Sequence, residues 1–195
     1  YKETKERYDF YSEQKTDLEE SISAIEKIIE ELEVNMKVQF KEQFTQVNEN
    51  FKYVYKRLFG GGEGELTILD EDNILESDIQ ITAKPPGKKM KNLNLLSGGE
   101  KALTAISILF AIILAKPTPF CILDEIEAPL DDANIFRFGE YLKELSEDTQ
   151  FIAVTHRRGT MEAADYIYGV TMEKKAISKV IGLDLHEAHK MTDII

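Results

Sequence analysis

Leu95-Leu96-Ser97-Gly98-Gly99-Glu100-Lys101 runs without a break into an apolar stretch over residues 102–115. Two adjacent glycines after a serine leave two backbone amides uncovered by a Cβ, so the chain can lie flat against a ligand there. Ser97 and Glu100 have the spacing of a capping box, which predicts a helix that opens at this point. The first turn of such a helix presents free N–H groups and the positive end of its dipole, a site for an anion such as phosphate. Taken alone, S-x-x-E reads equally well as a plain capped helix without a ligand. The sequence that follows bears on the choice.

Lys116-Pro117-Thr118-Pro119 closes the predicted helix. Phe120-Cys121-Ile122-Leu123 is then a continuous apolar run, short enough for a buried strand of a parallel sheet, and it ends in Asp124-Glu125. Asp131-Asp132 opens an amphipathic helix with Ile135, Phe138 and Leu142 on one side. A second buried strand over residues 151–154 ends in Thr155-His156. A short helix over 160–164 leads to strand-like runs at 166–172 and 178–183. Helices that alternate with buried strands predict an α/β layer structure with a mostly parallel sheet. In such sheets ligands sit beyond the carboxyl ends of the strands, where Asp124, Glu125 and His156 all fall. An apolar strand ending in Asp-Glu has the Walker B arrangement. The first carboxylate can hold Mg²⁺ through water, and the second can polarise a water for attack on a γ-phosphate. A lone strand-Asp-Glu also reads as a solvated acidic loop, and a lone histidine after a strand as a structural one. The specific signal is their joint occurrence in this order.

Upstream, residues 1–59 contain no Gly and no Pro. Leu18, Ile22, Ile25, Ile29, Leu32 and Met36 recur in a 4-3-4-3-4 alternation, a heptad seam flanked by Glu and Lys. Phe40 and Phe44 then each follow by four, a stutter that locally unwinds a supercoil. The alternation resumes through Val47, Phe51, Val54 and Leu58. This pattern predicts a coiled-coil arm over residues 1–45 that becomes a helix docked on a globular lobe, 46–195. Fully helical, residues 1–59 would reach roughly 90 Å. The seam needs a partner strand, expected from another chain or another part of the same one. Gly60-Gly61-Gly62 stops the helix, and β-like runs at 65–69 and 74–83 lead to Lys84-Pro85-Pro86-Gly87, a loop signal.

The 195 residues suffice for one domain with an appendage. No apolar run is expected to span a membrane, residues 102–115 coming closest between Lys101 and Lys116, and a charged N-terminus argues against a signal peptide. The chain opens on Tyr1 rather than Met, so it is expected to be a fragment. One cysteine, Cys121, permits no internal disulfide, fits a reducing cytoplasm and is expected in the core. A net charge of −12 argues against broad electrostatic binding of nucleic acid by the whole chain. Lys84, Lys88, Lys89 and Lys91 form a local basic cluster, which also reads as a solvated loop.

These residues together resemble a family. Leu96-Ser97-Gly98-Gly99-Glu100 is similar to the ABC ATPase signature, Leu123-Asp124-Glu125 to its Walker B, Ala128-Pro129-Leu130-Asp131 to its D-loop, and His156 to its switch histidine. The wider text resembles bacterial SMC (structural maintenance of chromosomes) proteins. Phe59-Gly60-Gly61-Gly62-Glu63, Pro85-Pro86-Gly87-Lys88-Lys89, Phe120-Cys121-Ile122-Leu123-Asp124-Glu125 and Thr155-His156-Arg157-Arg158-Gly159-Thr160-Met161 all read like the C-terminal half of that family's head, from about residue 20 to 185. Pro129 stands where the family commonly has a small residue such as Ala.

The resemblance implies an ABC-type ATPase head lobe with ATP and Mg²⁺, an organiser of DNA in chromosome condensation and segregation. Asp124 would support Mg²⁺, Glu125 would position or activate the attacking water, and His156 would contact the γ-phosphate. Ser97, Gly98 and Gly99, with Glu100, would bind the nucleotide of an opposite head, and Asp131 would couple the two sites. The implied partners are the N-terminal half of the same head, a second head, the kleisin subunit, and DNA through the complete protein; no membrane is implied, and the setting is the cytoplasm at the nucleoid. The sequence has no G-x-x-x-x-G-K-[ST], so nothing in it cradles a β-phosphate. In this family that loop lies in the N-terminal half of the head. Residues 1–45 would then be the end of the returning coiled-coil strand. The rival readings are another coiled-coil ATPase of DNA repair, such as one of the RecN type, and a structural coiled-coil protein with an inert globular end.

Overall fold

A computed structural model describes residues 1–174 and 177–185. The chain divides into two compact units: Tyr1–Thr45 with Asp70–Asp78, and Gln46–Leu69 with the chain from Ile79 onward.

In the first unit a glycine-free, proline-free sequence makes one uninterrupted helix, part of α1 (Lys2–Phe59). Its seam residues Leu18, Ile22, Ile25, Ile29, Leu32 and Met36 are all about half exposed. Where the heptad spacing slips, Phe40 and Phe44 stack on each other with ring centroids 6.0 Å apart. The second β-like run does not begin at Ile74. The Asp70 carboxylate accepts the N–H groups of Asp72 and Asn73 at 3.0 and 3.1 Å and curls the chain into turns. A second turn follows, closed by Glu76 N–H on Asn73 O at 3.1 Å, and the strand starts only at Ile79.

In the second unit the end of α1 carries Phe51, Val54, Tyr55 and Leu58, all fully buried. The helix stops in a Schellman motif: Gly61 N–H donates to Lys56 O at 2.9 Å and Gly60 N–H to Arg57 O. Gly60 lies in the left-handed region, φ +67°. Next come β1 (Glu63–Ile68), β2 (Ile79–Lys84) and the short β3 (Lys91–Asn92), an antiparallel sheet with Glu63 opposite Lys84 and Ile68 opposite Ile79. Gly64 is required in β1, since a Cβ there would come within 2.8 Å of the Phe51 ring.

A 3₁₀ turn, Leu93–Leu95, leads into α2 (Gly98–Ala115). This helix is 18 residues long with a mean hydropathy of 1.6, enough by length and composition alone to cross a membrane, contrary to the expectation from residues 102–115. Here it is the core helix of the lobe. Leu103, Ile106, Phe110 and Ala111 are buried, and Asn50 Nδ2 donates to Ala111 O at 3.2 Å. The Phe110 ring sits against Phe138, Tyr141 and Phe151 with centroids 5.6–6.2 Å apart.

β4 (Phe120–Asp124) pairs in parallel with β5 (Gln150–Val154), Asp124 opposite Val154, through the crossover helix α3 (Asp132–Leu145). Ile135, Phe138 and Leu142 form the buried side of α3 as the sequence predicts. The α/β class holds, although among the described residues only this pair is parallel. β4 and β5 are not the fully buried strands their apolar text predicts. Phe120, Ile122, Ile152 and Val154 are about half exposed, and Cys121 is half-buried. Two strands expose one face unless another layer lies on it, and apolar continuity cannot say whether that layer belongs to the same chain. The short helix α4 runs over Arg158–Glu162, two residues earlier than predicted. β6 (Tyr166–Lys174) and β7 (Ile177–Asp184) then form an antiparallel hairpin.

Candidate nucleotide site at the strand ends and the α2 N-terminus

Leu123 anchors the end of β4 in the core, and the chain then turns sharply. Glu125 takes φ +48°, the only positive φ at a non-glycine residue among the described residues. It is held there from both sides. Its N–H extends the β4–β5 ladder to Val154 O at 2.9 Å, and its carbonyl accepts Ala128 N–H at 3.1 Å. The turn brings its carboxylate to His156, with Oε1 and Nδ1 3.2 Å apart. A carboxylate only accepts, so Nδ1 is the donor in this contact. Both side chains are more than half exposed. Asp124, the last residue of β4, is also exposed. Among the described residues no three metal-ligating side chains converge. One exposed carboxylate at a strand end fits Mg²⁺, which keeps several waters and binds one or two carboxylates besides phosphate oxygens.

The second cluster is built on α2. Ser97 is its N-cap and closes the expected box with Glu100. The Glu100 carboxylate accepts the Ser97 N–H at 3.0 Å and the Ser97 hydroxyl at 2.7 Å. Lys88 Nζ lies 2.9 Å from the other Glu100 oxygen. The Ser97 N–H, followed by Lys88 and then the Ser97 hydroxyl, holds the Glu100 carboxyl down at about 2. The amides of Gly98 and Gly99 stand in the first turn, where a helix offers them no partner of its own. A Cβ at Gly98 would meet nothing within 4 Å, so this backbone faces open space. At Gly99 the nearest atom would be Pro129 O, at 3.4 Å. The α2 start therefore lies against the loop that precedes Asp131. Asp131 caps α3, its carboxylate accepting Asn134 N–H at 2.9 Å. Ser97, Gly99, Glu100, Asp131, Asn134 and Lys88 line one open pocket of about 350 Å³. The basic loop thus contributes a cation beside the signature residues, which its sequence reading did not foresee.

Glu100 yields a prediction. Its folded-state value lies below the ordinary carboxylate value of 4.5, so its contribution to stability is complete above that value and is lost as pH falls toward 2. Denaturant unfolding of the chain and of Glu100→Gln should show a stability gap at pH 6 that narrows steadily as pH is lowered toward 2. A gap that is constant with pH would mean that Glu100 is not held by these donors.

Sequence reasoning missed Glu127 as well. It is 2% exposed and accepts the hydroxyls of Thr155, in a very short contact, and of Thr160, at 3.1 Å. An acidic residue two positions after Asp124-Glu125 looks like more solvated acid, and only the crossover places around it Thr155 of the loop after β5 and Thr160 of α4.

A family model described as RecF/RecN/SMC N terminal domain matches residues 6–179. The chromosome partition protein Smc of Bacillus subtilis is 53% identical over 187 residues, which is 96% of this chain and 16% of that protein. A solved Smc head domain with an extended coiled coil from Pyrococcus furiosus, bound to the C-terminal domain of ScpA, is 37% identical with a TM-score of 0.77, over 99% of this chain and 48% of that one. A solved structure concerned with ATP-driven dimerization and DNA-stimulated activation of SMC ATPases is 41% identical with a TM-score of 0.71, over 80% of this chain and 95% of that one. The chain spans about a sixth of the curated relatives' length. With matches of this extent along nearly its whole length, the chain belongs to the SMC family and has the fold of part of an SMC head domain with its coiled coil.

Proposed function

We infer that this chain is the C-terminal lobe of an SMC ATPase head, active in ATP hydrolysis only when a phosphate-loop lobe and a second head complete the site. The observation that carries this reading is the contact between Glu125 and His156 at the ends of two parallel strands, 3.2 Å apart. Asp124 holds Mg²⁺, which neutralises phosphate charge when bound. Glu125 orients the attacking water and polarises it. His156, with Nδ1 committed to Glu125, turns Nε2 toward the γ-phosphate. The amides of Gly98 and Gly99 and the Ser97 hydroxyl serve the nucleotide of the opposite head, and Asp131 conveys the state of one site to the other. Residues 1–45 are the returning strand of the coiled-coil neck, and 46–195 the lobe. The exposed Phe120, Ile122, Ile152 and Val154 are the face on which the phosphate-loop lobe lies. A kleisin subunit, as ScpA is for the Pyrococcus head, and DNA are the partners of the complete protein. Its work is chromosome partition at the nucleoid, as the names of its relatives suggest.

The purified 195-residue chain should hydrolyse no ATP above background, and mixing it with the phosphate-loop half of the head should restore turnover. Steady hydrolysis by this chain alone would overturn the division of the site, and an inert mixture would favour a structural role.

A further inference from the structure

Arg157 follows His156 directly and is half-buried. Nη2 donates to two carbonyls of the loop that precedes Asp131, Leu130 O at 2.8 Å and Ala128 O at 3.2 Å. Its backbone N–H donates to Thr155 Oγ1 at 3.0 Å, and that hydroxyl donates to the buried Glu127. Thr160, 4% exposed, donates to the same Glu127 oxygen. The loop after β4 and the loop after β5 are thus tied twice, once through Glu127 and once through Arg157. Two independent sets of hydrogen bonds between the loops restrict how they can move against each other. The tie encloses the working residues on both sides. Glu125 lies two positions before Glu127, Asp131 one position after Leu130, and His156 between Thr155 and Arg157. Arg157 Nε is buried and has no acceptor among the described residues.

We propose that Arg157 is a positioning residue that clamps the loop 128–130, anchored by Glu127, and so holds Asp131 and the Glu125–His156 pair in one fixed relation for hydrolysis. The proposal rests on the ATPase reading above. Misplacing a reacting group by about 1 Å can cost roughly a hundredfold in rate while leaving binding intact. The clamp therefore acts on turnover and not on nucleotide affinity.

The test uses the full-length protein. Arg157→Met keeps an unbranched apolar stem and removes every donor, and Arg157→Lys restores a donor. Turnover by Arg157→Met should fall at least tenfold with KM for ATP within about threefold of wild type, and Arg157→Lys should recover a substantial part of kcat. A purely structural arginine would instead lower Tm and raise KM along with the loss of kcat, with activity returning on cooling; that result overturns the proposal, as does a kcat within twofold of wild type. Should Arg157→Met not fold, Thr160→Val decides: a kcat loss of threefold or more at unchanged KM supports the clamp, and unchanged kcat overturns it. Glu125→Gln, measured in parallel, separates the two levels. If it hydrolyses ATP normally, the catalytic role assigned to Glu125 fails and with it the site that the clamp is said to hold. If it is inactive while Arg157→Met is normal, only the clamp fails.

Discussion

Glu125→Gln in the complete protein is expected to lower ATP turnover by about 10²–10⁴-fold, about 3–5 kcal/mol of barrier, while nucleotide binding is kept. Glutamine is nearly isosteric with glutamate. The strained turn depends on the residue's main chain, with Glu125 N–H on Val154 O and its carbonyl on Ala128 N–H, and neither bond involves the carboxylate. The amide oxygen can still accept from His156 Nδ1, so the imidazole keeps its orientation. What disappears is the negative charge that polarises water. Removing one such charge beside a triphosphate should leave affinity unchanged or raise it. ATP-bound dimers should then accumulate, as seen by sedimentation, while phosphate release nearly stops. Asp124→Asn should differ by losing Mg²⁺-dependent binding together with turnover. Near wild-type hydrolysis by Glu125→Gln would move the catalytic role elsewhere. Loss of ATP binding would make Glu125 part of the metal site.

Ser97→Arg is expected to abolish ATP-dependent engagement of two heads, weakening it by at least about a hundredfold, about 2.7 kcal/mol, with binding of ATP by one reconstituted head unaffected. The space beside Gly98 is open, so the backbone there is free to receive a phosphate at close range. A long cationic side chain at the preceding residue fills that space. It also takes up the Glu100 carboxylate, which now accepts both the Ser97 hydroxyl and Lys88. Ser97→Ala is the control. It removes one hydroxyl, keeps the space open and should weaken engagement far less. Equilibrium sedimentation with ATP distinguishes the two. Persistent ATP-dependent dimers of Ser97→Arg would remove Ser97 from the contact between heads.

The sequence by itself determined the helix from Lys2 to Phe59, its glycine stop, the opening of α2 at Ser97 and the parallel pair that ends in Asp124-Glu125 and Thr155-His156. Each of these follows from local rules: periodicity, capping, the absence of helix breakers, and apolar runs bounded by turns. It also carried the family, because that signal lies in strings such as Leu96-Ser97-Gly98-Gly99-Glu100 that need no coordinates. Tertiary structure alone decided what lies across from what. The consecutive turns over residues 70–76 removed Ile74 from the strand, through hydrogen bonds that an apolar run over 74–83 does not reveal. The exposure of Phe120, Ile122, Ile152 and Val154 depends on which layers are present, and hydrophobicity reports only that a face is fit to be covered. The approach of Glu125 to His156, of Gly99 to Pro129, and of Arg157 to the carbonyls of 128 and 130 joins residues about 30 positions apart. The first and the last of those contacts arise from the crossover through α3 that sets β4 beside β5. Periodicity reaches a few residues along the chain, and the relation between two strand ends is fixed only when the helix between them has packed.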